Sequence, residues 1–486
     1  MHLVVKTGAG EVRGQVDGGI ARFLGIPYAA APFGPHRFRA PAPAPSWEGV
    51  RDALAFGATV PKPGYVPPFD TLLPEPAVAG EECLNVNVWA PEGATGRPVM
   101  VWIHGGAFVN GSNAIPIYDG SAFARDGVVL VGINYRLGAE GFLAIPDAPA
   151  NRGMLDQVAA LEWVRDNIAA FGGDPDNVTI FGESAGGISV GTLLAMPAAE
   201  GLFRRAILQS GACHHALTAA TADRIAGYVA EEIGVGATLA ELEQVAPERF
   251  VAAQGALSAQ MSAAPDPARW GEAATNGMIF EPVIDGEVLP ALAFDRVQAG
   301  ASAGVDLLVG NTTEEMRLFL VPGDGIGQVP EAAIGMIAAG FGLPDGAVDA
   351  YRAARPGATP GLLMVDLVGE YMFRMPAVRL AEARPATFVY EFGWESPLFD
   401  GRLGACHALE LGFVFDTLAA SRGLTGATPP QALADAMHAA WVAFATSGDP
   451  GWEPYGTERK VRSFADTVET VTDPRGELRQ YWTTSR

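Results

Sequence analysis

One stretch constrains the fold of this chain more than any other: Val178-Thr-Ile-Phe-Gly-Glu-Ser-Ala-Gly-Gly187. An apolar, β-branched run ends at Gly182, and an apolar, helix-compatible run from Ile188 to Met196 begins directly after Gly187. Strand, Gly-x-Ser-x-Gly, helix describes a turn so tight that only glycine fits on either side of the serine. Ser184 is thereby forced into strained backbone geometry, with its hydroxyl held clear of the sheet. The five-residue pattern alone arises by chance about once in three chains of this size and composition. Its meaning rests on its surroundings.

Those surroundings alternate buried strands with helices. Pro98-Val-Met-Val-Trp-Ile103 and Val128-Val-Leu-Val-Gly-Ile-Asn134 are nearly all apolar, as strands covered on both faces must be. Leu155, Val158, Leu161, Val164 and Ile168 mark one face of a helix over 154–170, which Gly172-Gly-Asp-Pro175 stops. Arg205–Gln209, Val305–Gly310 and Thr387–Glu391 read as further strands, the latter two as the last of the sheet. Such alternation predicts an α/β fold: a large, mostly parallel sheet with helices on both faces. Residues 1–30 read as antiparallel hairpins preceding it, 31–80 as an irregular surface segment and Leu84–Trp89 as a strand. Gln431–Thr446 reads as a C-terminal helix. Residues 215–300 and 329–380 are helical, and are expected to be insertions forming the walls of a cleft within one domain spanning 1–486.

Net charge and cysteine usage narrow the partners. With 32 basic against 55 acidic residues the chain carries −23, which argues against nucleic acid or an anionic membrane surface and serves solubility. No apolar stretch reaches membrane-spanning length, and the N-terminus lacks the features of a secretion signal. Cys83, Cys213 and Cys406 are too few and too scattered for a disulfide framework or a thiolate metal site, and read as reduced thiols in a cytoplasmic protein. Nothing asks for an assembly beyond a monomer or homodimer.

A serine hydroxyl attacks only when a base within reach takes its proton and an acid orients that base. After a strand-turn-helix serine the partners follow in the order acid, then histidine. Of seven histidines only His407 and His438 leave room for this order. His438 lies in a helix beside Ala439, Ala440 and Trp441; His407 lies in the Gly-rich loop Gly404-Ala-Cys-His-Ala-Leu-Glu-Leu-Gly-Phe413. The acid should sit just past a buried strand, and Val305–Gly310 leads into Asn311-Thr-Thr-Glu-Glu-Met316, where Glu314 and Glu315 both qualify. The third requirement is a set of backbone N–H groups for the developing oxyanion. His104-Gly-Gly-Ala-Phe108, directly after a buried strand, has the small residues that allow close backbone approach.

With Phe23-Leu-Gly-Ile-Pro-Tyr-Ala29, Glu81-Glu-Cys-Leu-Asn-Val-Asn-Val-Trp89, Val101-Trp-Ile-His-Gly-Gly-Ala-Phe108, Asn134-Tyr-Arg-Leu-Gly138, Phe171-Gly-Gly-Asp-Pro175, Phe181-Gly-Glu-Ser-Ala-Gly-Gly187 and Gln209-Ser-Gly211 in this order, the chain resembles the type-B carboxylesterases. That family includes cholinesterases and bacterial para-nitrobenzyl esterases. The resemblance implies an α/β-hydrolase fold and a serine esterase acting on small to medium, largely apolar carboxylic esters, with no metal or organic cofactor. It implies Ser184 as nucleophile, Glu315 as acid, His407 as base, and the N–H groups of Gly106, Ala107 and Ala185 as oxyanion donors. Phe108, Met316, Phe319 and Phe413 flank these positions and are expected to line the acyl or alcohol site.

The chain departs from the family pattern in two places. Met316 follows the acid where the family has glycine. Position 60 is valine where secreted members have a cysteine bridged to the equivalent of Cys83. The loop between Val60 and Cys83 contains no tryptophan, so choline esters are not indicated. The same triad chemistry would serve aryl carbamates or amides. Some relatives of the family are non-catalytic binding proteins that have lost the nucleophile.

Overall fold

The computed structural model of the protein describes residues 1–482. Its centre is a 13-stranded sheet. The strands are β1 (His2–Lys6), β2 (Glu11–Asp17), β3 (Ile20–Pro27), β4 (Val50–Asp52), β5 (Asn85–Pro91), β6 (Arg97–Ile103), β7 (Val129–Ile133), β8 (Gly173–Glu183), β9 (Arg205–Gln209), β10 (Asp306–Thr312), β11 (Phe388–Phe392), β12 (Lys460–Phe464) and β13 (Val468–Thr472). Their order is β1-β2-β3-β5-β7-β6-β8-β9-β10-β11-β12-β13, with β4 paired to β2. From β7 to β12 all neighbours are parallel, while the β1-β2-β3-β5-β7 pairings and the final β12–β13 hairpin are antiparallel and β4 runs parallel to β2.

The parallel strands carry apolar side chains on both faces because both faces are covered. On one face Val99, Val101 and Ile103 of β6 join Val129, Val131 and Ile133 of β7 and Ile180 of β8, beneath helix α1 (Arg152–Asn167) and helix α2 (Ala185–Leu193). The alternate residues Met100, Trp102, Leu130 and Phe181 enter a second core on the other face, with Trp441 and Phe444 of helix α3 (Gln431–Ser447). There Trp102 packs on Phe181, Tyr118 and Phe415 with ring centroids 4.8, 4.9 and 5.0 Å away.

Strand β6 lies between β7 and β8; the connection leaving β6 runs to β7 on one side and the one leaving β8 runs to β9 on the other. A crevice opens at the carboxyl ends of strands wherever this happens in an open α/β sheet. The loop after β6 and the turn after β8 meet there. Residues 215–300 and 329–380 are largely helical, and include a two-stranded parallel pair, Leu217–Thr218 with Val283–Ile284.

The sheet does not end at 387–391. Strands β12 and β13 follow α3 and extend it. Val-Glu-Thr-Val-Thr of β13 is wholly exposed or half-buried, so these edge strands lack the apolar run by which the inner strands are recognised.

A buried ion pair fixes the chain just beyond β7. Arg136 donates from Nε and Nη2 to the two carboxylate oxygens of Asp156 on α1, at 2.8 and 2.7 Å, and the Arg136 backbone N–H adds a third bond at 3.0 Å. The two side chains are 1% and 0% exposed. Removing one partner strands a charge in the core. Asp156→Asn is therefore expected to lower unfolding stability by about 3–5 kcal/mol, read as a lower urea midpoint at unchanged slope.

Candidate active site

The turn after β8 has no room for side chains at its glycines. A Cβ on Gly182 would lie 2.5 Å from the backbone of Gly186, and one on Gly186 would lie 2.0 Å from the Ile103 carbonyl oxygen. The start of α2 thus rests directly on the end of β6. Between the glycines Ser184 adopts φ 57° and ψ −124°, outside the regions that an L-residue ordinarily occupies. Its backbone is fixed by Ser184 N–H to the Gln209 carbonyl at 2.9 Å, and by Ile188 N–H to its own carbonyl at 2.8 Å. Its side chain opens into a cleft.

The loop after β6 doubles back on itself. Gly106, Ala107 and Phe108 have φ of 110°, 53° and 59°. The Gly106 carbonyl accepts from the N–H groups of Val109 and Asn110 at 3.0 and 2.8 Å, closing the turn. His104, at the base of the loop, stacks on Tyr135 with centroids 4.6 Å apart, and the Tyr135 hydroxyl donates to the His104 carbonyl at 2.9 Å. Burial pushes the His104 imidazole down to about 3, so it stays neutral. The N–H groups of Gly106 and Ala107 find no acceptor among the described residues. Ala185 is the first residue of α2, where no preceding helical turn offers an acceptor. Gly106 and Ala107 therefore border the same cleft as Ser184, with Ala185 directly behind the serine in the chain.

His407 approaches from the opposite wall. Its Nδ1 lies 2.5 Å from Glu315 Oε2, and its backbone N–H donates to the Glu315 carbonyl at 3.1 Å. The other carboxylate oxygen of Glu315 accepts from the Ser210 hydroxyl at 2.6 Å and the Thr312 N–H at 2.8 Å. The neighbouring Glu314 turns away and pairs with Arg317 and Arg355 at 2.6 and 2.9 Å. Side-chain direction thus distinguishes two carboxylates that the sequence leaves equivalent. His438 is buried in α3, with Nδ1 against the Val414 carbonyl and its ring on Phe123, remote from the cleft.

Two further carboxylates surround the imidazole. Glu183 Oε1 lies 2.9 Å from His407 Nε2. Glu410 accepts from Gln209 Nε2 at 3.3 Å and is wholly buried; burial and the charges of Glu183 and Glu315 push it up to about 8. Burial by itself would lower the His407 pKa, but Glu183 and Glu315 overcome it and raise it well above the ordinary 6.5.

The cleft holds about 280 Å³ and is mainly apolar. Met316 and Phe319 line it, Phe319 being 45% exposed with its ring 5.3 Å from that of His407. Met316 has φ −71°, an ordinary helical value, so glycine is not needed there and the side chain becomes part of the wall. Phe108 and Phe413 do not line the cleft. The positive-φ turn sends Phe108 into the core against Phe142, at 4.9 Å, and Phe413 packs against Phe392 and Trp394, at 5.1 and 5.3 Å. The helical segments supply His215 and Met278 from one side, Met372 and Phe373 from the other.

The sequence matches the Carboxylesterase family over residues 1–331 and 352–475. The chain belongs to that family. It is 37% identical to the para-nitrobenzyl esterase of Bacillus subtilis over 99% of this chain and 98% of that protein. Identity to the phenmedipham hydrolase of Pseudarthrobacter oxydans is 35%, over 98% of this chain and 96% of that one. Among solved structures, a PNB esterase superposes with a TM-score of 0.87 at 34% identity over the full length of both chains. A Geobacillus stearothermophilus carboxylesterase superposes at 0.86 and 36%, over 99% of this chain and all of that one. The protein is thus a carboxylic-ester hydrolase with the α/β-hydrolase fold.

Within this esterase, Glu183, Ser210 and Glu410 were not singled out by sequence reasoning. Glu183 carried a signal as the charged residue inside the Gly-x-Ser-x-Gly turn. Glu410 lies three residues beyond His407, but Ser210 shows its role only once β9 is laid beside β10. Among the described residues no cluster of three His, Cys, Asp or Glu side chains is arranged to hold a metal ion.

The contact between Gly186 and the Ile103 carbonyl makes a sharp test. Gly186→Ala is expected to cut hydrolysis of a p-nitrophenyl ester by about 100-fold or more, because a displacement near 1 Å is enough to misalign reacting groups. Circular dichroism should show the fold retained.

Proposed function

We propose that Ser184, His407 and Glu315 act as nucleophile, base and orienting acid of an ester hydrolysis that runs through an acyl-enzyme. One observation carries this reading. Glu315 holds the Nδ1 side of His407, Nε2 faces Glu183 next to Ser184 in the chain, and His407, Glu183 and Ser184 line one cleft with Gly106 and Ala107, whose N–H groups are unengaged. In the reaction His407 Nε2 leaves Glu183 for the neighbouring Ser184 and takes its proton as Oγ attacks the ester carbonyl. The N–H groups of Gly106, Ala107 and Ala185 receive the oxyanion. The imidazolium then protonates the departing alcohol, and water activated by His407 releases the acid. Glu315, held by Ser210 and Thr312, orients the ring and stabilises the imidazolium.

Tyr65, Phe69, Leu73, Met316, Phe319 and Met372 give the cleft an apolar lining, which supports esters with apolar acyl and alcohol arms. Helical segments 215–300 and 329–380 are insertions of a single hydrolase domain. Cys83, Cys213 and Cys406 are buried and unpaired, and burial raises the first two thiols to about 12, which supports residence in a reducing cytoplasm.

Ser184→Ala is expected to lower kcat by several orders of magnitude and to abolish labelling by a fluorophosphonate. Retention of most activity on a p-nitrophenyl ester would refute the assignment. The base must be neutral to act, and two carboxylates hold its proton. The acid limb of kcat/KM is therefore expected above pH 6.5. Glu183→Gln removes one negative neighbour and should move that limb to lower pH, as a pH–rate profile of both enzymes would show.

A further inference from the structure

Behind the cleft wall lies a second buried charge pair that the reaction scheme does not use. Lys62 Nζ lies 2.6 Å from Glu75 Oε1, with side chains only 4% and 3% exposed. Both residues belong to the irregular segment before β5, whose Tyr65, Phe69 and Leu73 form one wall of the cleft. The pair does more than bind itself. Lys62 Nζ donates to the Gly111 carbonyl at 3.1 Å, and Glu75 Oε1 accepts from the Gly111 N–H. Both peptide groups of one glycine are thereby held by a single ion pair drawn from residues 49 and 36 positions away.

Gly111 closes the loop after β6. At φ 100° it packs so tightly that a Cβ would stand 2.2 Å from His104 Nδ1 and 2.3 Å from the Gly105 carbonyl. Its neighbour Asn110 donates to the Gly106 carbonyl at 2.8 Å, and the Asn110 carbonyl sits where a Gly106 side chain would be. Any shift of Gly111 therefore displaces Gly105 and Gly106 and redirects the N–H groups of Gly106 and Ala107. A buried ion pair is a poor source of stability, since desolvation offsets its attraction. This one also leaves Glu75 Oε2 without a hydrogen-bond partner. What it supplies is direction.

We propose that Lys62 and Glu75 are positioning residues that set the oxyanion loop through Gly111 and tie it to the cleft wall formed by Tyr65, Phe69 and Leu73. The inference rests on the reading of Gly106 and Ala107 as oxyanion donors. Ester chemistry then depends on a segment that touches neither the serine nor the histidine. Its cost falls on the transition state, because the N–H groups are needed only when the carbonyl oxygen becomes an anion.

The test uses the double variant Lys62→Met/Glu75→Leu, which removes both charges at similar volume, beside Glu75→Gln, which keeps an acceptor for the Gly111 N–H. With a p-nitrophenyl ester the double variant is expected to lose about 10- to 100-fold in kcat with KM within about threefold, and Glu75→Gln to fall between it and the parent. A trifluoromethyl ketone, which forms a tetrahedral oxyanion on the enzyme, should lose affinity in step with kcat. The matching methyl ketone should not. A double variant with a lowered thermal midpoint but parental kcat and trifluoromethyl ketone affinity would overturn the proposal and leave a merely structural staple. A parent enzyme with no preference for the trifluoromethyl ketone would instead refute the oxyanion assignment, and this inference with it.

Discussion

The site depends on one close approach: the amino end of α2 against the carboxyl end of β6, with the Ile103 carbonyl where a Gly186 side chain would be. Two consequences follow from that contact. Ser184 is lifted out of the sheet at a φ that its neighbours enforce, and the amino end of α2 is brought beside the loop leaving β6. The proposed nucleophile and anion donors thus follow two adjacent parallel strands, and their spacing is fixed by the sheet. Strain at Ser184 persists because Gln209 and Ile188 bond its backbone on either side.

Electrostatics impose the second constraint. Glu183, Glu315 and Glu410 crowd one imidazole in a buried site of a chain already carrying −23. Such crowding is tolerable because donors are supplied locally. Ser210 and Thr312 serve Glu315, Gln209 serves Glu410, and His407 stands between Glu315 and Glu183. Glu410, lacking a cationic partner of its own, is the carboxyl pushed up to about 8. Burial and like charge act there in the same direction.

Much of this was legible in the sequence for a physical reason. Strands β6 to β9 are covered on both faces, so each carries an apolar run, and the turn glycines are demanded by backbone contacts that no other residue satisfies. Ser184, Glu315 and His407 follow β8, β10 and β11 in that order along the chain. What escaped depended on direction. Glu314 and Glu315 are adjacent and chemically alike, and only the loop's path turns one to His407 and the other to Arg317 and Arg355. Phe108 and Phe413 sit within a few residues of the site yet point into the core on opposite sides of the sheet. Proximity in sequence says nothing about side chains around a positive-φ turn. Strand β13 escaped because its residues are exposed or half-buried, and β12 because it buries only Val461 and Phe464.

The high proton affinity of His407 has opposite consequences for the two halves of the proposed reaction. Before attack it favours the protonated ring and so reduces the fraction of enzyme able to accept the serine proton. During attack the same carboxylates stabilise the imidazolium that forms beside the oxyanion. A base that gains in the second way more than it loses in the first must work at a pH above its raised pKa, where the neutral form is fully available and the stabilisation is undiminished. The apolar cleft strengthens this arrangement. Tyr65, Phe69, Phe319 and Met372 exclude water from the charges, and in a drier site each carboxylate acts on the imidazolium with less screening. In the proposed reaction the walls that receive the ester therefore also tune the base.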